Sequence, residues 1–267
     1  KMKIYISADI EGITGVTHWD DAVKPQPDYE NFRKQMTLEV KAACDGANEA
    51  GANEIWIKDA HADGRNIDGS KLPENTKLIR GWSGHPLSMV QELNSSFDAL
   101  MMIGFHSSAG SAGNPLSHTM SSSKIQYMKI NDTFISEFHL FGFASMVMGV
   151  PVVLISGDEQ ICNDANSFMP GIITVNVKKG VGDSTINIQP DVAIDQIRDS
   201  AKQALSSDLS SYSTKVPDRF QLEIQYKHHK NAYKSSYYPG TVLVDPVTCS
   251  FQTDDYFELL RMVLFAI

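Results

Sequence analysis

Residues 4–15 read IYISADIEGITG, an apolar run that ends in two carboxylates, Asp9 and Glu11, just ahead of a glycine-bracketed turn. The run predicts a buried strand, and side chains at i and i+2 of a strand point to the same face. Asp9 and Glu11 are thereby aimed at one spot. Two acids that share a spot call for a positive group to share.

Outward from this strand, the chain alternates two periodicities. Phe32, Met36, Val40, Ala43 and Ala47 recur at spacings of three and four and predict an amphipathic helix. NEIWIKDAH (53–61) and FDALMMIGFH (97–106) predict further strands, with LIRG (78–81) and a helix-like HPLSMVQEL (85–93) between them. KIQYMKIND (124–132) and TFIS (133–136) resemble a hairpin about an Asn-Asp turn. A helix starting near Ser136 leads into the strand PVVLISGD (151–158). Such alternation predicts an α/β fold, a largely parallel or mixed sheet flanked by helices. From about residue 171 the pattern loosens. GIITVNV (171–177) reads as a strand, Ile194, Ile197, Ala201 and Ala204 as a helix, and SSDLSSYST (206–214) as a surface loop. FQLEIQYKH (220–228) alternates like a half-exposed strand, and YFELLRMVLFAI (256–267) suits a buried helix. The organisation expected is a catalytic core over 2–170 and a smaller C-terminal lobe over 171–267, the two forming one continuous domain in the alternative.

At 267 residues the chain is long enough for a full core, and its net charge of −9 argues against nucleic acid or an anionic membrane as the main partner. Cys44, Cys162 and Cys249 are too widely spaced for a paired-cysteine zinc site, and their odd number suggests no disulfide framework, so a cytoplasmic protein is expected. The first apolar run carries its carboxylates too early for a secretory leader. The most membrane-like stretch, 140–157, is broken by Gly149 and Pro151, which predicts a buried helix turning into a buried strand rather than a span.

Three predicted strands end in metal-friendly residues: ADIEG, KDAH and GFH. Ligands of open α/β sheets bind beyond the carboxyl ends of the strands, a rule that brings Asp9, Glu11, His61 and His106 together. Glu137, at a helix start, is a candidate fifth ligand, and Asp59 a partner that orients His61. A mixed carboxylate and imidazole set suits zinc or a similar divalent ion. Each residue also has a plainer reading. Asp9 and Asp59 can cap turns, the histidines can be hydrogen-bonded core residues, and Glu137 can favour the positive end of its helix. His118 lies in the loop GFHSSAGSAGNPLSHTMSS, either as part of a pocket or as an exposed loop residue.

Taken in order, SADIEGITG, KDAH, MIGFHS, LSHTM and IND…SE resemble the D-aminopeptidases of the bacterial dipeptide-permease operon, the DppA-like zinc peptidases. The resemblance runs along most of the chain and is densest over residues 3–160. It implies two zinc ions per chain held by Asp9, Glu11, His61, His106 and Glu137, with Asp9 bridging. It places His118 beside them as the catalytic residue, as nucleophile, acid–base group or transition-state stabiliser. It also implies an aminopeptidase that acts on short peptides or amino-acid amides with D-alanine-like N-termini, and assembly as a ring-shaped homo-oligomeric decamer. The family often carries a lysine followed by a Gly-Arg pair. Here VKKGVGDST keeps Lys178 but has Asp183 in place of the arginine. Lys178 is therefore either a substrate contact or a solvated surface lysine. A metal-dependent hydrolase of another bond, such as a phosphoester, and a non-enzymatic metal- or solute-binding protein are the alternatives.

Overall fold

The computed structural model describes residues 1–212 and 215–267, so the last two residues of the 206–214 segment lie outside the described residues. Among the described residues, twelve strands are arranged in two sheets: β1 (Met2–Ala8), β2 (Ala52–Asp59), β3 (Thr76–Ile79), β4 (Ala99–Phe105), β5 (Ile125–Ile130), β6 (Thr133–Phe134), β7 (Val152–Asp158), β8 (Ile173–Val181), β9 (Ser184–Asn187), β10 (Phe220–Tyr226), β11 (Thr241–Asp245) and β12 (Thr248–Thr253). The helices are α1 (Trp19–Ala22), α2 (Tyr29–Glu49), α3 (Glu137–Val147), α4 (Glu159–Phe168), α5 (Pro190–Ser206), α6 (His229–Ser235) and α7 (Tyr256–Ala266).

The larger sheet has the order β3-β2-β1-β4-β7-β8-β9. Its first six strands run parallel, and β9 returns antiparallel on β8. Strand order reverses between β1 and β4, the switch point at which open α/β sheets leave a crevice for ligands. The smaller sheet, β11-β12-β10-β5-β6, is antiparallel throughout. Residues on each side of position 171 contribute to both sheets: β8 and β9 extend the parallel sheet, while β5 and β6 belong to the antiparallel one.

Alternation on β1 sorts the core into two layers. Ile4 and Ile6 face a cluster with Met36, Val40, Ala43 and Ala47 of α2 and Ile197, Ala201 and Ala204 of α5. Tyr5 faces the opposite cluster, where Leu100 and Met102 of β4 join Met128, Phe220, Leu222 and Ile224 of the antiparallel sheet and Leu259, Leu260 and Val263 of α7. The predicted helix through Phe32 and Ala47 and the helix-to-strand passage over 140–157 are both present. Asn131 and Asp132 take φ of 49° and 64° at the β5–β6 hairpin, a pair of left-handed residues suited to a two-residue turn. The helix expected over 85–93 is absent. Only a single 3-10 turn forms over Ser88–Val90, because Ser88 at φ 39° and Glu92 at φ 67° leave the right-handed helical region.

Candidate metal centre

The ends of β1, β2 and β4 meet through close backbone packing. Gly12 N–H donates to the Gly104 carbonyl at 2.8 Å, and a Cβ on Gly12 would stand 1.8 Å from the Phe105 carbonyl oxygen. No larger residue fits there, which is why a glycine follows the acidic pair. β1 itself stops at Ala8, so Asp9 and Glu11 converge through the tight turn after the strand rather than through strand alternation.

Around this turn, His61 Nδ1 lies 3.2 Å from Asp9 Oδ1 and 3.0 Å from Glu11 Oε2. His106 Nε2 lies 3.5 Å from Asp9 Oδ2 and 3.4 Å from Glu137 Oε2. The two oxygens of Asp9 thus face two donor sets, Asp9–Glu11–His61 and Asp9–His106–Glu137. A third grouping joins Glu11, His106 and His118. His118 stacks on His106 at 4.3 Å between ring centroids and brings Nε2 to 3.6 Å from Glu137 Oε1. All of these side chains are buried except His118, which is 12% exposed at a cleft of about 420 Å³.

Hydrogen bonds on the far side of each ring fix which nitrogen faces the centre. His61 Nε2 donates to the Ala22 carbonyl at 2.7 Å, His106 Nδ1 to Ser107 at 3.0 Å and His118 Nδ1 to Leu116 at 2.8 Å. In the neutral ring the opposite nitrogen then presents a lone pair to the carboxylates. Lone pairs facing carboxylate oxygens repel unless a cation or a proton stands between them. Accordingly, Glu11 Oε2 and His106 Nε2 are buried without a hydrogen bond. Burial pushes Asp9 upward, and Glu11 beside it adds to the rise. Burial alone would depress His61 and His106, but the carboxylates around them hold both well above the ordinary imidazole value. The centre is built to hold positive charge. Donor atoms around a tetrahedral zinc with bonds of ~2.0–2.1 Å stand about 3.3 Å apart, the range of separations here, so the residues fit that group.

A supporting layer sits beneath. Asp59 makes no hydrogen bond to the His61 ring. It accepts from Asn66 N–H at 2.5 Å, Asn66 Nδ2 at 2.8 Å and Ile67 N–H at 2.8 Å, while Asn66 Nδ2 also donates to the His61 carbonyl at 2.8 Å. Its hold on His61 therefore runs through Asn66 and the backbone. Lys178 is not a solvated surface lysine. It is buried under the acidic turn, where it donates to the carbonyls of Glu11 and Val16, and burial pulls its ammonium down to about 8. It does not line the cleft. The sequence reading missed Asp158 at the end of β7. This fully buried carboxylate accepts from Ser107 N–H at 2.8 Å and Ser107 Oγ at 2.5 Å, anchoring the residue whose carbonyl orients His106. The signal was available, since PVVLISGD is a fourth apolar strand that ends in an acid.

The chain matches the family model for D-aminopeptidases (peptidase family M55) over residues 2–265. It is 28% identical over 265 residues to a D-aminopeptidase of Bacillus subtilis (strain 168), covering 98% of this chain and 96% of that protein. Among solved structures it is similar to the Zn-dependent D-aminopeptidase DppA from Bacillus subtilis, described as a self-compartmentalizing protease. That match has 26% identity and a TM-score of 0.92, and covers 99% of this chain and 96% of the other.

Proposed function

Starting from the family to which this chain belongs, the D-aminopeptidases, we propose that it is a zinc-dependent hydrolase that removes a D-configured N-terminal residue from short peptides or amino-acid amides. The observation that carries the reading is Asp9, a buried carboxylate with one oxygen facing Glu11 and His61 and the other facing His106 and Glu137. In this reading Asp9, Glu11 and His61 would hold one zinc and Asp9, His106 and Glu137 a second, with Asp9 shared between the two sets. When bound, the pair supplies Lewis acidity to polarise an amide carbonyl and to activate water near neutral pH.

The chain's own residues do the rest. His118, fixed through its Nδ1–H on Leu116, turns Nε2 toward the centre, 3.6 Å from Glu137 Oε1, where it can carry a proton to the leaving amine. Glu137 Oε1 accepts the Met120 N–H at 2.7 Å, which ties the loop bearing His118 to the ligand set. Trp19 packs against the His118 ring at 5.4 Å and shields it from solvent on that side. Among the described residues the cleft is lined by neither Arg nor Lys, which favours an amide over a phosphoester substrate.

The test is hydrolysis of paired D- and L-alanyl peptides by zinc-loaded and chelator-stripped protein. Cleavage of the D-peptide only, and only with zinc, is expected. Equal cleavage of the L-peptide, or turnover that survives stripping, would overturn the reading.

We also propose a ring-shaped homo-oligomer, a decamer by family resemblance. Tyr233, Tyr237, Val242, Val244 and Phe265 leave large side chains exposed on α6 and the turn after it, on β11 and on α7, which supports burial against further copies. Light scattering at micromolar concentration reads the assembly, and a strict monomer would rule it out. The three cysteines are buried and unpaired, which supports a reducing, cytoplasmic setting. No described helix is long and apolar enough to cross a membrane.

A further inference from the structure

Trp82 stands at the cleft yet is 41% exposed, an unusual position for a large ring that is held from two sides. Its indole N–H donates to the Ala62 carbonyl at 2.7 Å. The Lys58 ammonium sits 3.9 Å from its ring centroid, within cation–π range. Lys58 is itself fully buried, and among the described residues its Nζ pairs with backbone carbonyls and with no carboxylate. Its remaining hydrogen bonds go to the Asp59 carbonyl at 2.9 Å and the Gly81 carbonyl at 2.5 Å, the residue just before Trp82. Gly81 N–H in turn donates to Gly64 at 2.8 Å, so the loop after His61 and the segment bearing Trp82 are locked together.

A buried, unpaired ammonium is costly, and core packing does not explain it, because the ring it supports points to solvent. The other walls of the cleft carry matching signs. Ala62, Ser88 and Met120 line it with φ of 48°, 39° and 62°, left-handed values for residues with side chains, and such strain concentrates where a surface must take one shape. Met89 and Met120 add adaptable apolar surface.

We infer that Trp82, with Met89 and Met120, forms the specificity wall on which an apolar side chain of the peptide packs, and that Lys58 is the positioning residue that holds the indole in place. The inference rests on the aminopeptidase reading for the nature of the ligand, so binding is measured separately from turnover. Zinc-loaded His118→Ala protein is titrated calorimetrically with D-leucyl-glycine, D-alanyl-leucine and D-alanyl-glycine. At least one leucine peptide should bind about tenfold more tightly than D-alanyl-glycine, the usual effect of seating a few methylenes in an apolar site. Adding Trp82→Ala should erase that preference and leave D-alanyl-glycine affinity within about twofold, since the half-exposed ring carries little of the core.

In the otherwise wild-type chain, Lys58→Met should raise KM for the preferred leucine peptide with little change in kcat, and Lys58→Arg, which keeps a cation over the ring, should restore it. A leucine preference that persists without Trp82, or that is absent from the parent, overturns the wall whether or not the protein is active. A Trp82-dependent preference in a protein that hydrolyses none of these peptides would keep the wall and sink the aminopeptidase reading instead. An unchanged KM in Lys58→Met would remove Lys58 from the account.

Discussion

The carboxyl edge of the parallel sheet and the antiparallel sheet beside it are both buried, but they bury opposite chemistry. At or just beyond the ends of β1, β2, β4 and β7 lie Asp9, Glu11, His61, His106 and Asp158, with Glu137 and Lys178 packed among them. Along β10 and its neighbours lie Phe220, Leu222, Ile224, Cys249 and Phe251, an apolar layer with the regular alternation of a sheet that has one wet face. Apolar burial of the second kind supplies stability directly, at roughly 25 cal/mol per Å² removed from water. Burial of the first kind costs free energy unless each charge finds a partner. The difference separates a region that carries the fold from a region the fold carries.

Substitutions should break this contrast in opposite directions. The largest effect belongs to His118→Ala. Both zinc ions should stay bound by elemental analysis, the melting temperature should hold, and turnover should fall by roughly 10²–10⁴-fold, the usual contribution of one positioned proton-transfer group. Near wild-type turnover would reduce His118 to an ordinary loop residue. Next comes Leu222→Ala, at a fully buried position opposite Ile130 and Phe251. It should cost about 2–5 kcal/mol in denaturant unfolding and leave kcat per folded molecule unchanged. A large fall in kcat at full stability would show that the two regions are not separable.

The smallest effect sharpens the contrast from within the site. Glu39 of α2 is fully buried behind the acidic turn. It accepts the Thr14 N–H at 3.1 Å, and burial pushes its carboxyl up to about 7. Between its unfolded value and about 7 the folded state keeps a proton that the unfolded state releases, so the stability this group allows is lost as pH rises through that window. Glu39→Gln should therefore stabilise the protein by about 3 kcal/mol at pH 8 and by almost nothing at pH 4. Equal gains at both pH values would contradict the burial argument.

The same contrast explains which features were legible in the sequence. Strand ends were legible because β1, β2 and β4 are short, mostly apolar segments followed within two residues by an acid or a histidine, and the switch-point rule then gathers them. The helix through Met36 and Val40 was legible because its buried stripe keeps one period. Residues 85–93 were misread because their apolar spacing imitates a helix, while Ser88, which borders the cleft, and Glu92 both take left-handed backbone values that end it. Pairing of β5 with β10 joins segments far apart in the chain, and no local pattern announces such a partner. Lys178 illustrates the limit for single residues. Its burial follows from carbonyls that only the folded turn assembles beneath Glu11 and Val16. Asp158 was legible in principle, as an acid closing a fourth apolar strand, but its role depends on Ser107 and hence on His106.

The central claim is that Asp9 joins two donor sets into one dinuclear centre. Zinc stoichiometry tests it most directly: protein stripped with chelator, reloaded and freed of excess metal is measured by elemental analysis against chain concentration. The account predicts a plateau at two zinc ions per chain. A plateau at one, or metal that washes away entirely, would contradict it.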